Sequence, residues 1–227
     1  MSRGILIYGQ SGVGKSYSMK NLDPKTTLII DADKKNSLPW RGFKKNYFSD
    51  GDNKNFVSVS SLEAIRKTIE IVGSAEKFSH IKTLVIDGIS KALLTFEALY
   101  VKKYKPTNKF EPFAMLKEKA VDVFNTAKEQ RENLTVVFIG NVEIGDFTNP
   151  SDVDKLKVAG GYLRKNYEVE SDFNYVFYAK KEDGIYFFET QANKSTAKTP
   201  EGCFPEKIPN DIAAAIENII RYEEGEE

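Results

Sequence analysis

Residues 9–16 read GQSGVGKS, and they stand between an apolar run at 5–8 and a segment predicted to be helical at 14–20. Glycines at positions 9, 12 and 14 permit backbone conformations in which successive N–H groups turn toward one anion. The start of a helix adds further free N–H groups and a positive dipole end. This glycine spacing, followed by Lys15 and Ser16, is the P-loop pattern, which predicts a site for nucleotide phosphates.

The residue types of this loop predict separate tasks. Lys15 is expected to reach the β- and γ-phosphates and to take part in catalysis, and the Ser16 hydroxyl is expected to ligate Mg²⁺. The predicted nucleotide contacts are Gly9, Gln10, Ser11, Gly12, Val13, Gly14, Lys15, Ser16 and Tyr17.

Length and composition indicate one globular domain. The chain has 227 residues, of which 41% are apolar and 29% charged, so it can bury one substantial core. We expect a single domain over 1–222 and an acidic tail over 223–227. Lys and Arg total 33, as do Asp and Glu, so the net charge does not indicate a nucleic-acid-binding protein.

Other features of the sequence exclude several classes of protein. A lone cysteine, Cys203, and a lone histidine, His80, rule out an internal disulfide and a Cys/His metal cluster. No apolar run approaches the roughly 18 residues of a spanning helix, and the start of the chain lacks a signal peptide. We therefore expect a cytosolic protein without a membrane partner.

Strand and helix patterns alternate along the chain. Strands are predicted at 26–30, 83–86 and 134–139, and helices at 60–73, 89–103, 112–131 and 210–222. Segments 173–180 and 185–190 flank Asp183-Gly184, which predicts a β-hairpin. Strands that are apolar on both faces suit a buried parallel sheet. The predicted fold class is α/β, with a mostly parallel sheet flanked by helices, a C-terminal antiparallel hairpin and a terminal helix.

Polar residues follow the predicted strands. Asp87 matches an acid that holds Mg²⁺, although it can also cap the helix predicted from 89. Asp31 or Asp33 can act as the base that polarises the attacking water, and the residues alone do not decide which. The Asn141 amide can sense the γ-phosphate or orient water.

Residues 34–55 form a polar, irregular segment. Its cations surround Trp40 and are Lys34, Lys35, Arg41, Lys44 and Lys45. Two interpretations stay open: these cations contribute to DNA binding, or they cap the nucleotide.

The stretches GQSGVGKS, LIIDAD, LVIDG and VVFIGN, with AGGYLRK further on, resemble the RecA-like ATPase core. The chain is most similar to phage-encoded RecA-like proteins of the single-strand annealing and recombination type, also described as phage nucleotide-binding or AAA-type ATPases. The resemblance extends over about residues 3–222. It implies a RecA-like P-loop core with ATP and Mg²⁺, acting in recombination or replication in the cytoplasm of a bacterial host. It also implies self-assembly into a ring or filament on single-stranded DNA, with a single-strand-binding protein or helicase as further partner.

The resemblance assigns roles residue by residue. Asp33 falls where the RecA core has its catalytic glutamate, and its shorter side chain implies hydrolysis that is slow or dependent on partner subunits. Asn141 falls where related proteins have a strand-end amide or histidine. Lys180 and Lys181 resemble lysines that reach into the active site of a neighbouring subunit and stabilise charge on the transferring phosphoryl group.

Two segments occupy the positions that face DNA in the RecA core. Their cations are Lys102, Lys103, Lys105 and Lys109 in the first, and Lys155, Lys157, Arg164 and Lys165 in the second. Interleaved aromatic residues, Tyr104, Phe110, Phe147 and Tyr162, suit base stacking beside phosphate neutralisation. Asp146, Asp152 and Asp154 dilute the positive charge of the second segment.

Two other functions remain open. A small-molecule P-loop kinase needs an arginine-rich lid, whereas the arginines here are scattered along the chain. A helicase loader or similar remodelling ATPase would associate with a replicative helicase when ATP is bound.

Overall fold

The structure, a computed structural model, describes residues 1–51, 53–103, 111–146, 148–149, 152–159 and 161–226. For residues 101–103, 112, 161, 162 and 164 it describes the backbone alone. Across these residues, none of the helices has both the length and the apolar character needed to cross a membrane.

A mixed β-sheet runs through the centre of the molecule. Its strands are β1 (Arg3–Gly9), β2 (Thr27–Asp31), β3 (Phe56–Ser58), β4 (Thr83–Asp87), β5 (Thr135–Glu143), β6 (Lys155–Leu156), β7 (Tyr175–Glu182), β8 (Ile185–Glu189) and β9 (Lys207–Pro209). The order across the sheet is β3-β2-β4-β5-β1-β7-β8-β9, with β6 paired to β5. All pairs from β3 to β7 are parallel, and β8, β9 and β6 pair antiparallel.

The register of the parallel strands aligns their carboxyl ends. Asp31 lies beside Asp87, and Asp87 lies beside Ile139 on the next strand. Gly9, where the P-loop begins, lies beside Asn141. The polar residues after the strands therefore meet at one edge of the sheet, as expected for parallel strands.

Helices cover both faces of the sheet. They are α1 (Leu62–Ser74), α2 (Ile89–Lys103), α3 (Glu111–Lys128), α4 (Gly161–Asn166) and α5 (Ile212–Glu224). Leu6, Ile86 and Phe138 point to the face covered by α1, α2 and α3, whereas Ile7 and Val85 point to the face covered by α5. Alternate residues of each central strand are thus buried on opposite faces, which explains the continuous apolar runs. The predicted α/β fold class is confirmed.

Short sequence patterns match two helix caps and one turn of the structure. The Ser61 hydroxyl accepts the Ala64 N–H and caps α1, near the start of the helix predicted at 60–73. Asp211 caps α5 in the same way, accepting the N–H groups of Ala213 and Ala214. Asp183 and Gly184 have φ angles of 49° and 82° and form the predicted tight turn between β7 and β8.

The helix predicted at 14–20 after the P-loop is wrong. Residues 11–16 form turns, and a 3₁₀ helix occupies only Tyr17–Asn21. Pro24 follows shortly after, so too few residues remain for a stable α-helix. A helix dipole therefore contributes less to this loop than the sequence predicts, and the N–H groups of the loop itself remain for anion binding.

Short elements also depart from the prediction. β3 and β9 had no predicted counterpart, since three residues carry too little pattern. No strand or helix is predicted between 139 and 173, but β6 and α4 lie there. The last helix, α5, continues to Glu224, and Glu223 pairs with Arg3.

We expect Phe138→Ala to lower the free energy of unfolding by about 3–5 kcal/mol, because it leaves a cavity in the core. Phe138 is fully buried, and its ring packs against Phe124 and Phe173 at centroid distances of 5.0 and 5.7 Å. Phe48→Ala, at a side chain that is 40% exposed, serves as the control and should change this value by about 0.5 kcal/mol or less. Chemical denaturation of both variants measures the difference, and equal losses would contradict the described core.

Candidate nucleotide site

A cavity of about 680 Å³ lies at the carboxyl edge of the sheet. This volume is within the range of small-molecule sites. Its walls come from the P-loop, the loop after β2, the ends of β4 and β5, and the C-terminal hairpin region. The lining residues are Ser11, Gly12, Gly14, Lys15, Ser16, Tyr17, Asp33, Lys35, Pro39, Asp87, Gly88, Ile139, Gly140, Asn141, Tyr186 and Asn210. Most of the predicted nucleotide contacts line it, while Gly9, Gln10 and Val13 lie in the supporting backbone of the same loop.

Lys15 folds back onto its own loop. Its ammonium donates to the carbonyl oxygens of Gly9 and Gln10 at 2.8 and 2.6 Å. Burial lowers the pKa of Lys15 to about 8, with a further contribution from the nearby Lys35, while Asp87 and Asp33 oppose the shift. A half-buried ammonium that donates to backbone carbonyl oxygens is well suited to pair with an incoming phosphate.

Ser16 and Asp87 form the part of the cavity that fits a divalent cation. The Ser16 hydroxyl lies close to the Asp87 carboxylate, and both residues line the cavity. Burial raises the pKa of Asp87, while the Ser16 hydroxyl and the charge of Lys35 work in the opposite direction. One hydroxyl and one carboxylate beside a phosphate site are the donor set that Mg²⁺ uses with nucleotides, so these residues fit that ion.

The two candidate bases occupy different environments. The buried Asp31 carboxylate accepts the Asn36 N–H at 2.6 Å and the Ser58 hydroxyl at 3.5 Å, and Asp31 does not line the cavity. Asp33 lines the cavity, and its carboxylate lies over Gly88, where a Cβ atom would be 2.5 Å from Oδ1. Of the two, Asp33 is therefore positioned to meet a bound phosphate.

Asp33 also pairs with a lysine of the basic segment. Lys35 Nζ lies 2.6 Å from Asp33 Oδ2 and lines the same cavity. Partial burial disfavours the ammonium, but the Asp33 carboxylate holds the pKa of Lys35 above its ordinary value.

Asn141 lies inside β5 rather than at its end. Its backbone N–H donates to the buried Ser90 hydroxyl at 3.0 Å, and its carbonyl accepts the Lys157 N–H at 2.7 Å. The exposed side chain lines the cavity beside the P-loop. Asn141 thus connects the cavity directly to Lys157, within the segment predicted to face DNA.

Two residues that the sequence did not predict close the cavity from the C-terminal side. Asn210 donates its amide to the Gly14 carbonyl at 3.0 Å, and the Tyr186 ring packs against Gly14. Gly14 has a φ angle of 85°, and a Cβ atom there would lie 2.4 Å from Asn210 Nδ2. No motif reveals this contact, because it joins residues almost 200 positions apart.

Lys180 and Lys181 lie outside the cavity of their own chain. Lys180 pairs with the buried Glu189 at 2.9 Å and covers the Tyr178 ring. Lys181 is exposed and lies 4.7 Å from the centroid of the Tyr186 ring. Both lysines belong to β7, which lies between β8 and β1, the strand that leads into the P-loop.

The cations predicted to face DNA are only partly described. Lys105 and Lys109 lie outside the described residues, and for Lys102, Lys103 and Arg164 only the backbone is described. Lys157 and Lys165 are exposed, whereas Lys155 pairs with Asp152 at 3.4 Å.

Asp154 is a structural residue, not a surface acid that dilutes positive charge. It is buried, and its carboxylate accepts the Tyr178 hydroxyl at 2.7 Å and the Gly145 N–H at 3.0 Å. Its carbonyl accepts a bond from the fully buried Tyr8, the residue before the P-loop. Burial raises the pKa of Tyr8 and keeps this hydroxyl neutral. The strand that carries the P-loop is thereby tied to the segment after Asn141.

The sheet, the P-loop and the acid-lined cavity together define a P-loop nucleotide-binding protein. A family model described as an AAA domain matches residues 1–202, which is most of the chain. The chain therefore belongs to this AAA domain family and is a nucleotide-binding ATPase domain. A search of curated proteins found no match.

Solved structures give distant similarities. The flagellar accessory protein FlaH from Methanocaldococcus jannaschii aligns with a TM-score of 0.40 and 11% identity, over 91% of this chain and 83% of that one. A prototypical ATPase from the type III secretion system of pathogenic bacteria aligns with a TM-score of 0.44 and 13% identity. That alignment covers 79% of this chain and 51% of the secretion ATPase, so this chain spans about half of its length.

Gly14→Ala should destabilise the nucleotide-free protein more than Gly12→Ala. Both glycines have φ angles near 85°, so each alanine costs roughly 1–2 kcal/mol of backbone strain. Only the alanine at 14 meets other atoms, those of Asn210 and Tyr186, which adds about 1–3 kcal/mol. Chemical denaturation compares the variants, and Gly14→Ala combined with Asn210→Ala should recover part of the loss. Equal destabilisation at both glycines would contradict the contact between the hairpin region and the P-loop.

Proposed function

We propose that this protein is a Mg²⁺-dependent ATPase that acts on single-stranded DNA in phage recombination or replication, in the cytoplasm of a bacterial host. The observation that carries the ATPase part is the convergence of Lys15, Ser16, Asp33 and Asp87 on one cavity. These groups supply a cation for the phosphates, a metal-binding pair and a carboxylate for the attacking water. Membership of the AAA domain family supports the same activity.

Each group of residues that lines the cavity supports one part of nucleotide binding or hydrolysis. The N–H groups of the P-loop would hold the phosphates, and Lys15 would leave its loop carbonyls for the β- and γ-phosphates. Mg²⁺, held through Ser16 and Asp87, would neutralise developing charge on the phosphates. Asp33 would accept the proton of the attacking water, and Asn141 would orient that water. Tyr17 and Tyr186, 46% and 41% exposed at the cavity, offer ring faces to the nucleobase.

The DNA part of the proposal rests on the segment after Asn141. The exposed Lys157 and Lys165 lie in this segment, and its residues 155–157 hydrogen-bond to β5 beside the cavity. A change at the γ-phosphate that moves Asn141 would therefore also move the backbone that carries Lys157. We further propose that subunits assemble into a ring or filament on DNA, with Lys180 and Lys181 turned toward a neighbouring site. A single-strand-binding protein or a helicase would be a further partner.

A small-molecule kinase is less well supported. Among the described residues, no arginine lines the cavity. Arg3 pairs with Glu223, Arg66 with acids of α1 and α3, and Arg131 with backbone carbonyls. These side chains hold the scaffold together and do not form a lid that could clamp a phosphate donor and acceptor.

We expect Lys15→Ala to lower ATP hydrolysis at least about a hundredfold, because it removes the cation that meets the phosphates. Phosphate release with ATP and Mg²⁺ measures the effect, and circular dichroism checks that the variant is folded. Lys67→Ala is the matched control, since Lys67 is exposed on α1 and pairs with Glu63. Undiminished hydrolysis in folded Lys15→Ala would overturn the proposed site.

Replacing both Lys157 and Lys165 with glutamate should weaken binding to a labelled oligodeoxythymidine at least about tenfold at low salt. Each lost phosphate contact should also reduce the slope of log K against log salt by about 0.7. Fluorescence anisotropy with ATP and Mg²⁺ measures both. Lys82→Glu is the control, because Lys82 is exposed just before β4, at the opposite edge of the sheet. No retention of the oligonucleotide by the unaltered protein would exclude the DNA-binding part and leave the ATPase part standing.

A further inference from the structure

Lys35 lies at the mouth of the nucleotide cavity. Five cations occupy the segment 34–45, all of it described, and Lys35 is the one that lines the cavity. Its side chain is 59% exposed, while the Asp33 side chain that it contacts is 21% exposed. The ion pair is therefore part of the cavity wall, with the lysine more exposed to solvent than the aspartate.

The backbone around Lys35 is strained. Lys34 and Asn36, the residues on either side, have φ angles of 57° and 52°, in the left-handed region that favours glycine. Residues with a side chain adopt this region at a cost in free energy, which is larger for lysine than for asparagine. Such strain persists only where the surroundings fix it, and it is concentrated at functional segments. The strain thus marks the turn that presents Lys35.

The buried Asp31 fixes this turn. Its carboxylate accepts the Asn36 N–H at 2.6 Å, and its carbonyl accepts the Val59 N–H at 3.2 Å. The next residue, Ala32, donates its N–H to the Asp87 carbonyl at 2.8 Å. The turn is therefore attached to the strand that ends in Asp87, and it holds Lys35 beside Asp33 in the wall of the cavity.

The charges in the cavity favour a move of the Lys35 ammonium from Asp33 to a bound triphosphate. Without nucleotide, the Lys35 ammonium neutralises Asp33. A triphosphate brings several negative charges into the same space, and a terminal phosphate offers three acceptor oxygens where Asp33 offers two. Lysine has a flexible four-carbon stem, so its ammonium can move while the backbone turn stays fixed.

We infer that Lys35 is a second phosphate-binding lysine, supplied by the same chain, which leaves Asp33 for the terminal phosphate of bound ATP. This inference rests on the proposed ATPase function. Once Lys35 has moved, Asp33 is free to accept the proton of water. The water oxygen then bonds to the γ-phosphorus, and the bond to the β–γ bridging oxygen breaks with its electron pair leaving on ADP. With no terminal phosphate present, the ion pair keeps Asp33 occupied.

The test compares Lys35→Ala with a control at the neighbouring residue, Lys34→Ala. The control places an alanine in the left-handed region and leaves the lining of the cavity unchanged. Lys35→Ala should weaken binding of ATP, measured by calorimetry with Mg²⁺, by about 10–100-fold and leave ADP affinity within about twofold. Its kcat should fall about a hundredfold, and Lys35→Arg should recover part of this loss. Lys34→Ala should stay within about twofold of the unaltered protein in all three values. Lys35→Gln replaces Lys35→Ala if the alanine variant does not fold.

Mixing Lys35→Ala with Lys15→Ala subunits tests whether Lys35 acts within its own chain. The mixture should stay inactive, because no chain carries both lysines in one site. Recovered hydrolysis would overturn the inference, as would an unchanged kcat and an unchanged ratio of ATP to ADP affinity in Lys35→Ala. If the unaltered protein itself bound no ATP, the proposed function would fail first, so the two failures are distinguishable.

Discussion

The parallel register of the central strands is the constraint on which the candidate site depends. It places Asp31 beside Asp87 and Gly9 beside Asn141, at the point where each strand leaves the core. Because alternate residues are buried on opposite faces, a shift of one residue would turn every side chain to the wrong layer. The apolar strands thus determine where the P-loop and the acids lie relative to each other, and the loops only refine these positions.

Contacts from distant parts of the chain complete the arrangement. Tyr186 and Asn210 hold Gly14 from the C-terminal side, so the P-loop is supported by the sheet and by the region around the last strand. Beneath it, Tyr8 and Tyr178 converge on Asp154, which also accepts the Gly145 N–H. These buried, satisfied groups join the phosphate loop to the segment proposed to contact DNA, and a buried hydrogen-bonded network is costly to disrupt.

Sequence patterns predicted the features that depend on local chemistry. The P-loop, the strand ending in Asp87 and the turn at Asp183-Gly184 each carry a short signal with a physical cause. The pattern could not choose between Asp31 and Asp33, because the choice depends on Asn36 and on which carboxylate the neighbouring strand buries. The 3₁₀ helix after the P-loop was mistaken for an α-helix, since its length depends on Pro24 and on packing.

The remaining misses are long-range contacts. Tyr186 belongs to an ordinary hairpin pattern, and nothing in its neighbours indicates that the ring reaches the P-loop. Asp154 reads as a surface acid in a polar stretch, yet it is buried and fully hydrogen-bonded. Lys35 was one of five cations with open roles, and its place in the cavity wall beside Asp33 singles it out. Each of these depends on the assembled sheet, which a local pattern does not specify.

The central claim, that nucleotide phosphates bind at the carboxyl edge of this sheet, is tested most directly by a crystal structure with Mg²⁺ and a non-hydrolysable ATP analogue. The account predicts the triphosphate on the N–H groups of residues 9–16, with Mg²⁺ between the phosphates and the Ser16 and Asp87 side chains. Phosphates bound away from this loop, or a metal ion that contacts neither side chain, would contradict it.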